Sequence, residues 1–161
     1  MAAVFTWKES NLVGEVVSTA AKLDFGSVDD HDLNTTTYPI TKNTNSFTKY
    51  IRGLFTGSWT TISNIKFWKS AGAYVTGEDI HAAANATYAT PTATGMGGST
   101  IPTTEGTALA LNSAEGDATI DYGESGVSGY TGYVKLQLQT TASTPSGAVN
   151  QKTFCLQYDE V

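Results

Sequence analysis

Residues 58–69 read SWTTISNIKFWK, and the shorter predicted strands of the chain lie on either side of this segment. It contains two of the three tryptophans, Trp59 and Trp68, together with Phe67 and two isoleucines, and it lacks glycine and proline. Aromatic and β-branched residues favour strands. An apolar run with polar breaks predicts a central β-strand, or two strands joined by a kink. Because side chains alternate along a strand, we expect either Phe67 or Trp68 to point into the core.

The most regular strand patterns lie near the C-terminus. Residues 133–140, YVKLQLQT, and residues 153–158, TFCLQY, alternate apolar and polar side chains with a period of two. A turn signal, TPSG at 144–147, lies between them. The pattern predicts an antiparallel hairpin with one buried face and one wet face.

Weaker patterns fill the rest of the chain. Residues 8–20 allow one amphipathic turn of helix, which Gly14 weakens, and residues 78–90 fit either a short helix or a strand. A bulge is predicted near Gly53, because both faces of its segment carry apolar side chains. Gly123, Gly126, Gly129 and Gly132 predict a glycine-rich turn. Short strands are predicted at 3–7, 21–28, 38–42, 47–55, 74–76, 107–111 and 117–122.

These patterns predict an all-β fold. Many short strands, frequent turn signals and little helix indicate an antiparallel β-sandwich, Ig-like or jelly-roll-like, with a barrel as the alternative. A length of 161 residues predicts a single domain, 1–161. A long loop rich in Thr, Gly and Ala is predicted at about 86–106, because residues 91–106 show no periodicity. Long loops are usually functional or disordered, so we expect this one to be held against something, such as a neighbouring subunit.

Composition narrows the function classes. Charged residues make up only 15% of the chain, and the net charge is −6 from 15 acidic and 9 basic residues. The basic residues form no run, so nucleic-acid binding is not expected. No window approaches the roughly 18 apolar residues of a membrane span, and residues 1–10 lack the features of a signal peptide. We therefore expect a soluble protein made in a reducing cytoplasm, with Cys155 as a buried, inert thiol.

The chain shows no pattern typical of an enzyme or a cofactor site. Its two histidines, His31 and His81, lie beside carboxylates in polar segments without a nucleophile-elbow pattern, so no catalytic residue is predicted. Glycines at 95–98 lack the strand–helix context of a phosphate loop, and no cofactor is predicted. Zinc-ligand spacing is absent. The one metal candidate is a calcium site, for which Asp29, Asp30 and Asp32 would supply the oxygens.

Large side chains near predicted turns suggest a binding surface. Aromatic residues at such positions act as anchors of protein interfaces, or stack on sugar rings, although core packing is the default for any single one. The interface residues predicted in this way are Trp59, Tyr74, Tyr88, Met96, Ile101 and Tyr130.

Three segments carry a resemblance to a known class of protein. LDFGSVDD at 23–30, NTNSFTKYIRGLF at 43–55 and WTTISNIKFWKSAG at 59–72 resemble small β-sandwich structural proteins of tailed bacteriophage virions. The resemblance covers the first half of the chain best. It implies a non-enzymatic virion protein, foremost a capsid decoration (cement) protein that packs on the shell through loops and edge strands.

The same resemblance implies partners and a location. They are other virion proteins, such as major capsid or tail proteins, a homo-oligomeric arrangement in the assembly, and residence in the virion after synthesis in the bacterial cytoplasm. A tail, neck or baseplate component is the alternative within this class. A carbohydrate- or receptor-binding β-sandwich module is the alternative from a different class.

Overall fold

The structure is a computed structural model that describes residues 3–57, 59–111, 129–147 and 150–161, and the backbone of 119–120. The protein is an all-β sandwich in which antiparallel sheets pack in two layers, so the predicted fold class is confirmed. The described strands are β1 Val4–Asn11, β2 Val16–Thr19, β3 Lys49–Thr56, β4 Ile62–Ala71, β5 Glu78–Asn85, β6 Ser99–Thr100, β7 Leu109–Ala110, β8 Thr119–Ile120, β9 Gly129–Tyr130, β10 Tyr133–Thr140 and β11 Thr153–Glu160, with a 3-10 helix at Glu105–Thr107.

The two sheets differ in size. The larger sheet has the order β2-β1-β3-β10-β5-β6, with β9 also paired to β3. The smaller sheet has the order β11-β4-β7, with β8 also paired to β4. Each described pairing is antiparallel.

The segment at 58–69 supplies most of the central strand of the smaller sheet, as predicted. Ser58 lies outside the described residues, and β4 runs from Ile62 to Ala71. A kink at Asn64, where φ is 50°, coincides with a break in register against β11, so Ile62 and Ile65 both face inward. Phe67 is fully buried, whereas Trp68 on the opposite face is half-buried.

Aromatic rings join the two sheets. Phe55 of the larger sheet packs edge-on against Tyr158 of the smaller one, with ring centroids 4.7 Å apart. Phe67 contacts Trp7 across the sandwich at 6.0 Å and Phe154 within its own sheet at 5.7 Å. Such ring pairs add to the free energy that area burial alone contributes. The core is therefore a single cluster to which both sheets contribute side chains.

The predicted bulge near Gly53 lies on the strand opposite it and not on β3 itself. The register changes by one residue between the pairs Ile51–Val134 and Leu54–Tyr130, so residues 131–133 oppose only residues 52–53. β1 and β3 pair without a register break from Val4–Thr56 to Ser10–Tyr50. A Cβ atom at Gly53 would lie 2.5 Å from Cε2 of Phe5, so the glycine makes room for that ring instead of bending the strand.

The predicted C-terminal hairpin is wrong, although both of its strands exist. β10 pairs with β3 and β5 in the larger sheet, whereas β11 pairs with β4 in the smaller one. Alternation indicates which face of a strand is buried but carries no information about its partner. Both strands send their apolar faces into the same core from opposite layers.

Several local predictions need correction. Residues 8–20 form the β1–β2 hairpin instead of a helical turn, and residues 78–85 of the ambiguous segment form β5. Residues 21–28, 38–42 and 74–76 are irregular, because turn residues outweigh their short apolar patterns. Of the predicted glycine turn, Gly123 and Gly126 lie outside the described residues. The same holds for residues 117–118 and 121–122 of the predicted strand at 117–122.

The segment at 86–106 is largely loop, interrupted by β6 and the start of the 3-10 helix. It is held against its own larger sheet. The backbone N–H of Met96 donates to Oε1 of Gln137 at 2.5 Å, and Nε2 of Gln137 donates to the carbonyl of Thr94 at 3.0 Å. The N–H of Ile101 donates to the carbonyl of Ile80 at 2.8 Å. The sheet thus supplies the contact that the sequence suggested a neighbouring subunit would provide.

Candidate functional site

The connection between β1 and β2 presents an exposed group of apolar side chains. The sequence at 12–17 is LVGEVV, and Leu12, Val13, Val16 and Val17 are 45%, 84%, 51% and 39% exposed. We call these four residues the apolar tip; Val16 and Val17 are consecutive residues of β2, so they project from opposite faces of that strand at the end of the hairpin. Clustered apolar residues at one surface site typically mark an interaction surface, whereas single exposed ones need no explanation.

The backbone of the apolar tip is fixed by side chains from distant parts of the chain. The N–H of Leu12 donates to Oδ2 of Asp29 at 2.7 Å, and the hydroxyl of Tyr88 donates to the carbonyl of Leu12 at 2.7 Å. Leu12 and Glu15 have φ values of 64° and 58°, and Gly14 has 85°. Non-glycine residues rarely adopt this left-handed region, so the surrounding hydrogen bonds must hold them there.

Glu15 connects the turn to the face of the larger sheet that points away from the core. Its Oε1 atom accepts hydrogen bonds from Oγ of Ser10 at 2.8 Å, Nη2 of Arg52 at 3.0 Å and the hydroxyl of Tyr133 at 2.5 Å. Charge-assisted hydrogen bonds of this kind are the stronger ones in proteins. The apolar tip is therefore presented on a rigid base.

Arg52 lies between this carboxylate and two aromatic rings. Its guanidinium carbon is 3.9 Å from the ring centroid of Tyr130 and 4.5 Å from that of Tyr133. Both distances suit cation–π attraction. Tyr130 is exposed on the surface, so this stacked pair forms a second candidate contact surface beside the apolar tip.

Three tyrosines pack together under the hairpin turn. The rings of Tyr50, Tyr88 and Tyr133 lie 5.1 to 6.2 Å apart. Burial, followed by the hydrogen bond to Glu15, raises the pKa of Tyr133 to about 12. Burial and then the negative charges of Asp29 and Glu15 raise the pKa of Tyr88. The protein therefore favours the neutral phenols.

A pH dependence follows from these shifts. A tyrosine whose pKa in the folded state is raised above its ordinary value of 10.0 contributes full stability below pH 10 and loses it as the pH rises toward about 12. We expect the free energy of unfolding to fall across this window and Tyr133→Phe to lessen the fall. Denaturant unfolding at stepped pH measures this dependence. Equal slopes for the wild type and the variant would contradict the assignment.

The predicted interface residues occupy different environments. Trp59, Met96 and Ile101 are buried, so their prediction as exposed anchors needs correction: each fastens its own loop to the body of the sandwich. Trp59, for example, packs 6.5 Å from the ring of Phe55. Tyr74 is half-buried between the ammonium groups of Lys69 and Lys152, at 4.9 and 5.3 Å. Tyr88 supports the apolar tip, and Tyr130 is exposed beside it.

The three aspartates proposed for calcium do not converge. Asp29 binds the hairpin turn, the backbone carbonyl of Asp30 accepts from Nζ of Lys49 at 2.6 Å, and the exposed Asp32 lies 3.7 Å from the ring of His31. Within the described ranges, no three His, Cys, Asp or Glu side chains are grouped so that they could hold a metal ion. The prediction that these three aspartates form a calcium site is therefore wrong.

The two histidines and the cysteine lie apart from one another. Nε2 of His31 contacts the carbonyl of Thr19 at 3.2 Å, and Nε2 of His81 lies 3.3 Å from Oδ2 of Asp79. Cys155 is half-buried opposite Trp68, less enclosed than the sequence suggested. A depression of about 180 Å³ near the 3-10 helix, lined in part by Lys66 and Glu105, is smaller than the roughly 300 Å³ at which small-molecule sites begin.

Comparison with family models, curated proteins and solved structures finds no match for this chain. Within the part of the chain that the structure describes, no helix has the length and apolar character needed to cross a membrane.

The sequence pattern at 12–17 did not predict the apolar tip, because the spacing of its apolar residues also fits a helical turn. A signal was present nonetheless. Two apolar pairs, at 12–13 and 16–17, flank Gly14 and Glu15. Such symmetry about a turn residue is typical of a hairpin end.

Proposed function

We propose that this protein is a non-enzymatic structural protein that docks on a larger assembly through the apolar tip. The observation that carries the proposal is that Leu12 and Val13, on a turn fixed by Asp29, Tyr88 and Glu15, and Val16 and Val17, at the start of β2, are all exposed. Burying apolar surface contributes about 25 cal/mol per Å². A rigid turn loses little conformational entropy on binding, which leaves more of that contribution as affinity.

The apolar tip lies at an edge of the larger sheet, which is a second reason to propose it as the docking surface. β2 lies at the end of the strand order, and within the described residues its strand partner is β1. An edge strand offers backbone groups to a second chain. The carbonyl of Thr19, at the end of β2, is already contacted by His31. We therefore propose that the apolar side chains at 12–17, and not the whole backbone edge of β2, contact the assembly.

The assembly that we propose is the virion of a tailed bacteriophage, with this protein as a capsid decoration protein on the shell. The resemblance of residues 23–30, 43–55 and 59–72 to such proteins supports this role. Its partners are then the major capsid protein and neighbouring copies of itself. A tail, neck or baseplate position would use the same docking surface but fewer copies.

A carbohydrate- or receptor-binding module is the second candidate function. The observation favouring it is the exposed ring of Tyr130, stacked on Arg52, because an oriented aromatic ring is a platform for a sugar. A glycan array that shows hits lost in Tyr130→Ala, with particle binding absent, would favour this candidate over docking in a virion.

The docking proposal predicts the effect of charges in the apolar tip. We expect Val13→Asp combined with Val16→Asp to weaken binding to purified particles at least about a hundredfold, because two carboxylates would be desolvated in an apolar contact. Co-sedimentation of labelled protein with particles measures the binding.

Val4→Asp supplies a matched control, since Val4 is also an exposed valine but lies at the opposite end of β1. Binding by the control should equal that of the wild type, and both variants should keep the wild-type circular dichroism. Equal binding by the double variant and the wild type would contradict docking through the apolar tip.

A further inference from the structure

Three polar side chains lie buried where β1 ends and β3 begins. Glu9, Asn11 and Lys49 are 1%, 2% and 1% exposed. Lysine and glutamate are almost never buried this completely unless paired, and removing the charges of both from water is costly. The loop that follows β2 covers the group, and Leu33 within that loop is itself buried.

The amine and the amide meet at one carboxylate oxygen. Nζ of Lys49 lies 2.7 Å from Oε1 of Glu9, and Nδ2 of Asn11 donates to the same oxygen at 3.0 Å. Ser10 pairs with Tyr50, so the next step of this register sets Asn11 against Lys49. Directly opposed residues have Cβ atoms roughly 4.5–5.5 Å apart, a separation that a lysine side chain spans easily.

We propose that Lys49 and Asn11 form an intramolecular isopeptide bond, with Glu9 as the proton carrier. A proton first passes from the Lys49 ammonium to the Glu9 carboxylate along their hydrogen bond. The free amine then attacks Cγ of Asn11 and forms the new N–C bond. Glu9 transfers its proton to Nδ2, the Cγ–Nδ2 bond breaks as the carbonyl re-forms, and ammonia leaves. Glu9 then takes the extra proton from the new amide nitrogen and passes it to the ammonia, which departs as ammonium. The net change converts the ammonium and the carboxamide into a secondary amide and an ammonium ion, with no oxidant or cofactor.

The other contacts of these residues suit this reaction. The carbonyl of Asp30 accepts from Nζ of Lys49 at 2.6 Å, which holds the amine in position. Oδ1 of Asp29 accepts from Nδ2 of Asn11 at 3.0 Å, so a second carboxylate stands beside the departing nitrogen. Oδ1 of Asn11 is buried and has no hydrogen-bond partner among the described residues, so the amide is held through its nitrogen. Holding reacting groups together replaces a bimolecular encounter with an intramolecular one, and burial excludes the water that would compete for the carbonyl.

The bond would tie two neighbouring strands of the larger sheet covalently. Asn11 directly precedes Leu12, so the bond would fix the base of the apolar tip. The inference stands on the three buried side chains alone and does not depend on the proposed function, because it applies equally to the free protein.

Mass spectrometry of the purified, denatured full-length protein tests the inference. We expect an intact mass lower than the sequence mass by one ammonia molecule, after allowance for removal of Met1. After proteolysis we expect one joined peptide pair that contains Asn11 and Lys49. Lys49→Met and Asn11→Ala should each have the full mass and separate peptides, and Glu9→Gln should retain both peptides unjoined.

Two results would overturn the inference. One is a wild-type protein at full mass after prolonged incubation in the folded state. The other is loss of ammonia with the two peptides separate, which indicates succinimide formation at an asparagine. Both results are read on the wild-type chain, so they hold even where a variant fails to fold.

Discussion

Glu9→Ala is expected to lower the free energy of unfolding by about 3–5 kcal/mol. The comparison is made in the Asn11→Ala background, where Lys49 has no carboxamide to join and keeps its ammonium. There the substitution leaves this ammonium buried without the carboxylate that lies 2.7 Å away in the wild type. A buried charge that has lost its partner carries the full cost of desolvation, whereas an exposed one recovers its hydration. Urea unfolding monitored by tryptophan fluorescence measures the change.

An exposed ion pair of the same chemistry provides the control. Lys66 and Glu105 lie 3.4 Å apart, and their side chains are 30% and 54% exposed. Glu105→Ala should change the free energy of unfolding by less than about 1 kcal/mol. A loss at Glu9 as small as the loss at Glu105 would show that the Lys49 ammonium does not depend on its carboxylate.

Phe67→Ala is the second substitution with a large expected effect, about 3–5 kcal/mol of lost stability. The ring is fully buried and bridges the sandwich, because it contacts Trp7 in the larger sheet and Phe154 in the smaller one. Removing it leaves a cavity between layers that cannot collapse without moving both sheets.

Thermal and urea unfolding of Phe67→Ala should be compared with Val13→Ala. Val13 is 84% exposed, so its truncation should alter stability by no more than about 0.5 kcal/mol. This control also separates the apolar tip from the folding core. If Phe67→Ala were as mild as Val13→Ala, the two-layer core in which Phe67 joins both sheets would be wrong.

Much of the fold could be predicted from local patterns. The aromatic and β-branched residues at 58–69 indicated β4. The alternation of apolar and polar residues at 133–140 and 153–158 indicated β10 and β11. These predictions succeed because side-chain period and β-propensity are local properties of the chain. The sandwich class then follows from the number of such strands.

Strand pairing could not be predicted in the same way. β10 and β11 are neighbours in sequence but lie in different sheets, and β10 instead joins β3 and β5. Which strands pair depends on how the apolar faces of all strands fit around one core. The pattern of a single segment does not contain this information. Gly53 shows the same limit, because its role is set by the ring of Phe5, 48 residues away in sequence.

The candidate sites were predicted less well than the fold. Trp59 and Ile101 belong to loops, which suggested exposed contacts, yet each is buried. The group of Glu9, Asn11 and Lys49 left no local signal, because Lys49 is distant in sequence from the other two and its burial arises only when β1 pairs with β3. Polar residues in an alternating pattern are normally expected on the wet face.

The most direct test of the proposed role is the copy number of this chain in purified particles, measured by quantitative mass spectrometry against the major shell protein. A capsid decoration protein predicts a fixed ratio near one, or a simple fraction, relative to the shell protein. A few copies per particle would move the protein to the neck, tail or baseplate. Absence of the chain from particles would contradict its assignment as a virion structural protein.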